Sequence, residues 1–140
     1  MTMPSPMIAC LYVALGGAAG SVLRYLAGRT MVHWIGVQAA TSFPWATLAV
    51  NVLGCLAMGL LAGWLVRHGG ASGLLDSESL RLLLGVGLLG GFTTFSAFGL
   101  ELVLLAERGA YGLAAAYAVF SVLAGVTALV LGLLMMRAPA

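Results

Sequence analysis

Charge is scarce in this chain, and one cation is missing outright. Only 7% of its 140 residues are charged, and the six basic residues are all arginine, with no lysine. So little charge on so long a chain excludes a water-soluble domain, whose surface carries several times more. The arginines are scattered, so the sequence offers no basic run for nucleic acid and no polybasic segment for lipid headgroups. Cysteine is nearly absent. Cys10 and Cys55 lie in different apolar runs with no paired spacing, which leaves a zinc site or a disulfide framework without support and makes both read as small packing residues. Neither histidine lies inside an apolar span, and no Gly-x-Ser-x-Gly elbow occurs, so hydrolytic chemistry lacks its parts. No catalytic residue is assigned, and the chain does not read as an enzyme.

Apolar length takes the place of charge. Hydrophobic residues make up 62% of the chain and the mean hydropathy is +1.11. Charge-free runs reach from the N-terminus to Leu23, from Thr30 to Val66, from Leu82 to Leu100 and from Gly109 to Met136. Three of these are long enough for a hydrocarbon layer of roughly 30 Å, and the first becomes so if Arg24 snorkels. The expectation is an all-α integral membrane protein, one domain of four transmembrane helices over about 7–28, 45–66, 79–106 and 111–136. The N-terminal run has no basic flank before it and reads as a retained span, not a cleaved signal. Four spans enclose little space of their own, so homo-oligomerisation is expected.

The densest signal is Gly90-Gly91-Phe92-Thr93-Thr94-Phe95-Ser96-Ala97-Phe98 in the third span. Paired glycines followed by hydroxyl residues make a poor helix interior, so the helix is expected to break between Gly90 and Phe95. Broken helices at membrane depth survive only where the freed backbone is buried in protein or faces a polar cavity, and such breaks commonly hold ions. Phe92, Phe95 and Phe98 recur every three residues, an aromatic edge on one side of the resumed helix.

In the first helix, Gly16-x-x-x-Gly20 places two small residues on a face that another helix can approach closely, with Arg24 on the same stripe. Arg24 suits snorkelling, a helix C-terminus or a carboxylate partner. Residues 29–44 read as a loop, with His33 and Trp34 as interfacial anchors. Thr47, Asn51, Cys55, Gly59 and Gly63 then follow at intervals of four. Asn51, the single asparagine, serves there either as interhelical glue or as a donor lining a polar pathway. The second loop, Arg67 to Ser79, reads as a flexible connector through Gly69 and Gly70, ending in an acidic turn with Asp76 or Ser77 as N-cap. Glu101 is embedded toward the far end of the third span and has Arg24 as its simplest partner. Tyr117, Ser121, Gly125 and Ala128 lie near one face of the fourth helix, as a polar track or as hydroxyl packing.

With four spans, Arg67, Arg81 and Arg137 fall on one side and Arg24, Arg29 and Arg108 on the other. An even tally sets no orientation, so the chain is expected to insert both ways and to pair as an antiparallel two-fold dimer.

The Gly-Gly-x-Thr-Thr-Phe-Ser-x-Phe segment, together with Asn51 and Gly20-x-x-x-Arg24, resembles the Fluc (CrcB) fluoride channels along the whole chain. The resemblance implies a dual-topology homodimer in lipid, expected in a bacterial inner membrane. Such a channel allows passive fluoride export that protects the cell from fluoride toxicity. It implies two fluoride pores and a structural Na⁺ held by the main-chain carbonyls of Gly90 and Thr93. Phe95 and Phe98 fall on the family's pore phenylalanines, Asn51 on its pore asparagine, and Tyr117 and Ser121 on its polar track; Thr94 and Ser96 supply further hydroxyls, and Arg24 and Glu101 are structural charges. Ala97 stands where a hydroxyl residue is expected, and Gly125 where another serine of the track often lies. The alternative reading, a small dual-topology proton-coupled multidrug exporter, needs an acidic residue in the first helix, and Met7 to Leu23 has none.

Overall fold

A helix with apolar side chains on every side has no face to offer water, and four stretches of this chain are of that kind. In the computed structural model, which describes residues 4–68 and 76–137, these stretches form helices long and apolar enough to cross a membrane: Pro6–Ile35, Trp45–His68, Ser77–Glu107 and Tyr111–Arg137. Between 11% and 22% of each span's most apolar window is buried inside the protein, so most of its apolar surface is left for lipid or another protein. The Gly69-Gly70 connector expected in the second loop lies outside the described residues.

Helix α1 (Pro6–Ile35) starts with Pro6 in its first turn and Ser5 as N-cap, the Ser5 hydroxyl accepting from the Ile8 amide. It was expected to end near Gly28, but it runs on to Ile35, because residues 29–35 contain neither glycine nor proline. Gly36, at φ +83°, stops it. Most of the expected first loop is therefore helical: the end of α1, then the short helix α2 (Val37–Ser42) before α3 (Trp45–His68).

The third span is built in pieces. Asp76 caps α4 (Ser77–Leu80) by accepting from the Ser79 amide at 2.9 Å, and hydrogen bonds from Ser79 hold its carboxyl below the usual carboxylate range. A wide π-helical stretch follows over Arg81–Leu89, then the single turn α5 (Gly90–Phe92). The chain breaks at Thr93 and Thr94 and resumes as α6 (Ser96–Glu107). Gly90 and Gly91 thus remain helical, and the break is narrower than the sequence implied. The two threonines and not the two glycines carry it, because their neighbours offer the backbone better partners than the helix does, as described below. Gly109, at φ +74°, turns the chain into α7 (Tyr111–Arg137): its amide bonds to the Ala106 carbonyl and that of Ala110 to Leu105, a Schellman closure.

Two close helix pairs organise the bundle, α1 along the first half of the third span and α3 along α7. Both depend on missing side chains. A Cβ on Gly16 would lie 2.8 Å from the Leu88 amide nitrogen, and one on Gly87 2.9 Å from the Gly16 Cα, so these backbones touch. The glycine stripe of α3 does the same with α7, Gly59 facing the Leu129 carbonyl and Gly132 the Leu56 carbonyl.

Candidate functional site

At the break, side chains divert backbone donors from their helical acceptors. In an unbroken helix the Thr94 amide would serve the Gly90 carbonyl and the Ala97 amide that of Thr93. Here the Thr94 amide donates to Asn51 Oδ1 at 2.8 Å and the Ala97 amide to Thr94 Oγ1 at 3.2 Å. The Gly90 and Thr93 carbonyls lose those donors. Asn51 also donates from Nδ2 to the Thr94 carbonyl at 3.0 Å, so one side chain holds both polar groups of one residue. Thr93 closes the turn before the break, its amide and hydroxyl both donating to the Leu89 carbonyl.

Beside the break lies a cavity of about 370 Å³ lined by Asn51, Cys55, Gly90, Thr94, Phe95 and Ser121, with Thr93 and Phe98 also at its wall. The Ser121 hydroxyl oxygen is buried and has no hydrogen-bond partner, and one hydrogen of the Asn51 amide has none among the described residues. Phe95 is 84% exposed at the cavity edge, its ring centroid 5.8 Å from that of Phe98. The cavity therefore combines unused donors with aromatic rims.

Ser96 and Tyr117 lie outside this cavity. The Ser96 hydroxyl sits 3.4 Å from that of Thr94 at the start of α6. Tyr117 is fully buried, between Phe98 at 5.1 Å and Phe43 at 5.3 Å. Its hydroxyl donates to Glu101 Oε2 at 2.7 Å, while Thr47 Oγ1 donates to Glu101 Oε1 at 2.6 Å. Both carboxylate oxygens are thus held by hydroxyls and not by Arg24, the partner expected from sequence. Arg24 and Glu101 line one cavity without forming an ion pair; among the described residues the ion pair is Arg81–Glu78. A carboxylate with two short hydroxyl donors is already satisfied and gains less from a distant guanidinium.

Thr47 and Cys55 were visible only as members of a small-residue stripe. The signal available for both was their spacing of four on either side of Asn51. Cys10 is exposed on α1 within the single chain, and Cys55 lines the cavity, 3.4 Å from where a Cβ on Gly125 would stand. Phe43 carried no sequence signal.

The chain is 59% identical over 131 residues to "Fluoride-specific ion channel FluC" of Novosphingobium aromaticivorans, covering 94% of this chain and 98% of that protein. Proteins of the same description from Erythrobacter litoralis and Phenylobacterium zucineum are 54% and 53% identical, over 97% and 94% of this chain and 96% and 97% of their own lengths. The family profile described as "CrcB-like protein, Camphor Resistance (CrcB)" matches residues 11–133, and with nearly the whole chain aligned at this identity, the protein belongs to the CrcB-like family.

Proposed function

We propose that this chain is one subunit of a fluoride-selective channel, a passive conduit and not an enzyme, through which fluoride leaves the cell down its gradient. The observation that carries this reading is the cavity at the break, where the unpartnered Ser121 hydroxyl, the free Asn51 amide hydrogen and the Phe95 and Phe98 rims converge. Fluoride is small and strongly hydrated, so a conduit must replace its water with donors. Ring edges carry the positive part of the aromatic quadrupole and assist an anion while excluding bulk water. The Thr94 and Ser96 hydroxyls continue the donors toward α6, whereas the Tyr117 hydroxyl gives its one hydrogen to Glu101. Liposomes containing the purified protein and loaded with both halides are expected to release fluoride and retain chloride, each followed by its own selective electrode. Equal release of both overturns the reading.

A second copy completes the conduit. The exposed Phe95 ring and the open side of the cavity leave a wall for a partner to supply, and the even arginine tally favours an antiparallel one. A C-terminal reporter is expected to show both cytoplasmic and external populations, and a single location contradicts dual insertion.

The Gly90 and Thr93 carbonyls, relieved of their helical donors, form an oxygen set suited to a hard monovalent cation such as Na⁺, and the two-fold axis would double it. Bound there, Na⁺ would supply fixed positive charge beside the anion path. Because the main chain is the donor, Thr93→Ala is expected to keep Na⁺-dependent thermal stability. Within the chain a Cβ on Gly90 meets only the Gly85 carbonyl, at 3.8 Å, so any crowding by Gly90→Val arises from the second copy. Melting curves in Na⁺ against a large organic cation decide this: loss of the Na⁺ effect in Thr93→Ala removes the carbonyl assignment.

A further inference from the structure

A second cavity, about 720 Å³, lies apart from the one at the break. It lies between the C-terminal third of α1 and the start of α3, and its charged lining is Arg24, Arg29, His33 and Glu101. Two guanidiniums and an imidazole thus face one carboxylate, and that carboxylate already has both oxygens occupied by the Thr47 and Tyr117 hydroxyls. Arg24 has no hydrogen-bond or ion-pair partner among the described residues, and Arg29 has only the Tyr25 hydroxyl, at 3.4 Å. The cavity therefore holds a surplus of unsatisfied positive charge. It is far larger than a monatomic ion requires, and the planar fork of each guanidinium matches two oxygens of one phosphate. Its depth is also informative. Trp34, 81% exposed, and the exposed Trp45 stand at the same end of the bundle, the arrangement of an aromatic belt at headgroup level. Basic pockets between membrane helices at that level bind anionic headgroups.

We infer that this cavity is a binding site for an anionic phosphate group, gripped by Arg24 and Arg29 with His33 at the rim. The chemistry is shared by the phosphodiester of an anionic phospholipid and by free inorganic phosphate, and the inference is independent of which ion passes the break.

The test uses the purified full-length protein in detergent, with two ligand arms. In one arm phosphatidylglycerol is titrated against phosphatidylcholine and retained lipid is counted by native mass spectrometry. In the other, inorganic phosphate is titrated and the thermal midpoint followed. Wild type and Arg67→Gln, which removes one charge elsewhere, are expected to retain phosphatidylglycerol over phosphatidylcholine. The double variant Arg24→Gln/Arg29→Gln is expected to bind about 25-fold more weakly, about fivefold for each arginine, corresponding to ~1 kcal/mol apiece. Variant-dependent binding in the lipid arm alone assigns the site to a headgroup, and the same dependence in the phosphate arm extends it to the free anion. Should the double variant fail to fold, Arg29→Gln carries the test, because among the described residues its guanidinium hydrogen-bonds only the Tyr25 hydroxyl, and a fivefold loss is the expected reading. Equal binding by wild type and variants in both arms overturns the site.

Discussion

Asn51→Ala is expected to lower fluoride efflux from liposomes by at least about tenfold and to lower the melting temperature as well. The first effect follows from transport. Removing one donor from a conduit that must replace fluoride's water raises a local barrier, and about 1.4 kcal/mol already slows passage tenfold. The second follows from the fold. Asn51 holds both the amide and the carbonyl of Thr94, and its loss leaves two backbone groups at the break without partners, at roughly 1–3 kcal/mol each. Asn51→Asp separates the two. Its carboxylate still accepts from the Thr94 amide, so it is expected to melt above the alanine variant, yet it presents negative charge to an anion and is expected to conduct no better. Efflux at the wild-type rate in Asn51→Ala, with the protein folded, removes Asn51 from the conduction path.

Gly20→Val is expected to abolish the folded bundle. A Cβ at this position would fall on the Leu88 carbonyl oxygen and within 2.8 Å of the Phe92 amide nitrogen. These are backbone atoms of the third span and have no rotamer to escape through. Helix association in lipid rests on such close packing, and overpacking costs about 1–3 kcal/mol even where side chains can yield. The break lies just beyond Phe92, so α1 cannot move away without releasing the segment that positions Asn51's partner. The measurement is monodisperse yield and melting temperature after extraction. Gly28→Ala and Gly99→Ala are the controls, since nothing lies within 4 Å of either added Cβ. Both are expected to match the wild type or exceed it slightly, as alanine is the better helix former. A Gly20→Val protein that melts normally would show that the α1 contact does not hold the bundle.

Much of this architecture follows from composition alone. A chain with 62% hydrophobic residues and runs of over eighteen without charge has no soluble arrangement, so four apolar helices were legible before any coordinate. The place of the break was legible too, because the clustered glycines and hydroxyls of residues 90–96 oppose a regular helix locally. So was the glycine spacing of α1, since residues four apart share a face wherever the helix lies.

What the sequence by itself did not determine are the partners. Asn51 and Thr94 are 43 residues apart and Thr47 and Glu101 are 54 apart, and no local periodicity relates them. Charge alone pointed Glu101 at Arg24, whereas the packing of α3, α6 and α7 brings two hydroxyls to it first. The break is narrower than its glycines implied for the same reason. Gly90 and Gly91 stay helical because α1 and the wide π-helical turn support them, and the helix opens only where Asn51 and the Thr94 hydroxyl offer the backbone amides an alternative. Arginines that are scattered in sequence converge as Arg24 and Arg29 on one cavity only because α1 continues past Gly28 and α3 returns beside it. Helical periodicity is a property of neighbours in the chain; hydrogen-bond partners and cavities are properties of distances that only the packed bundle sets.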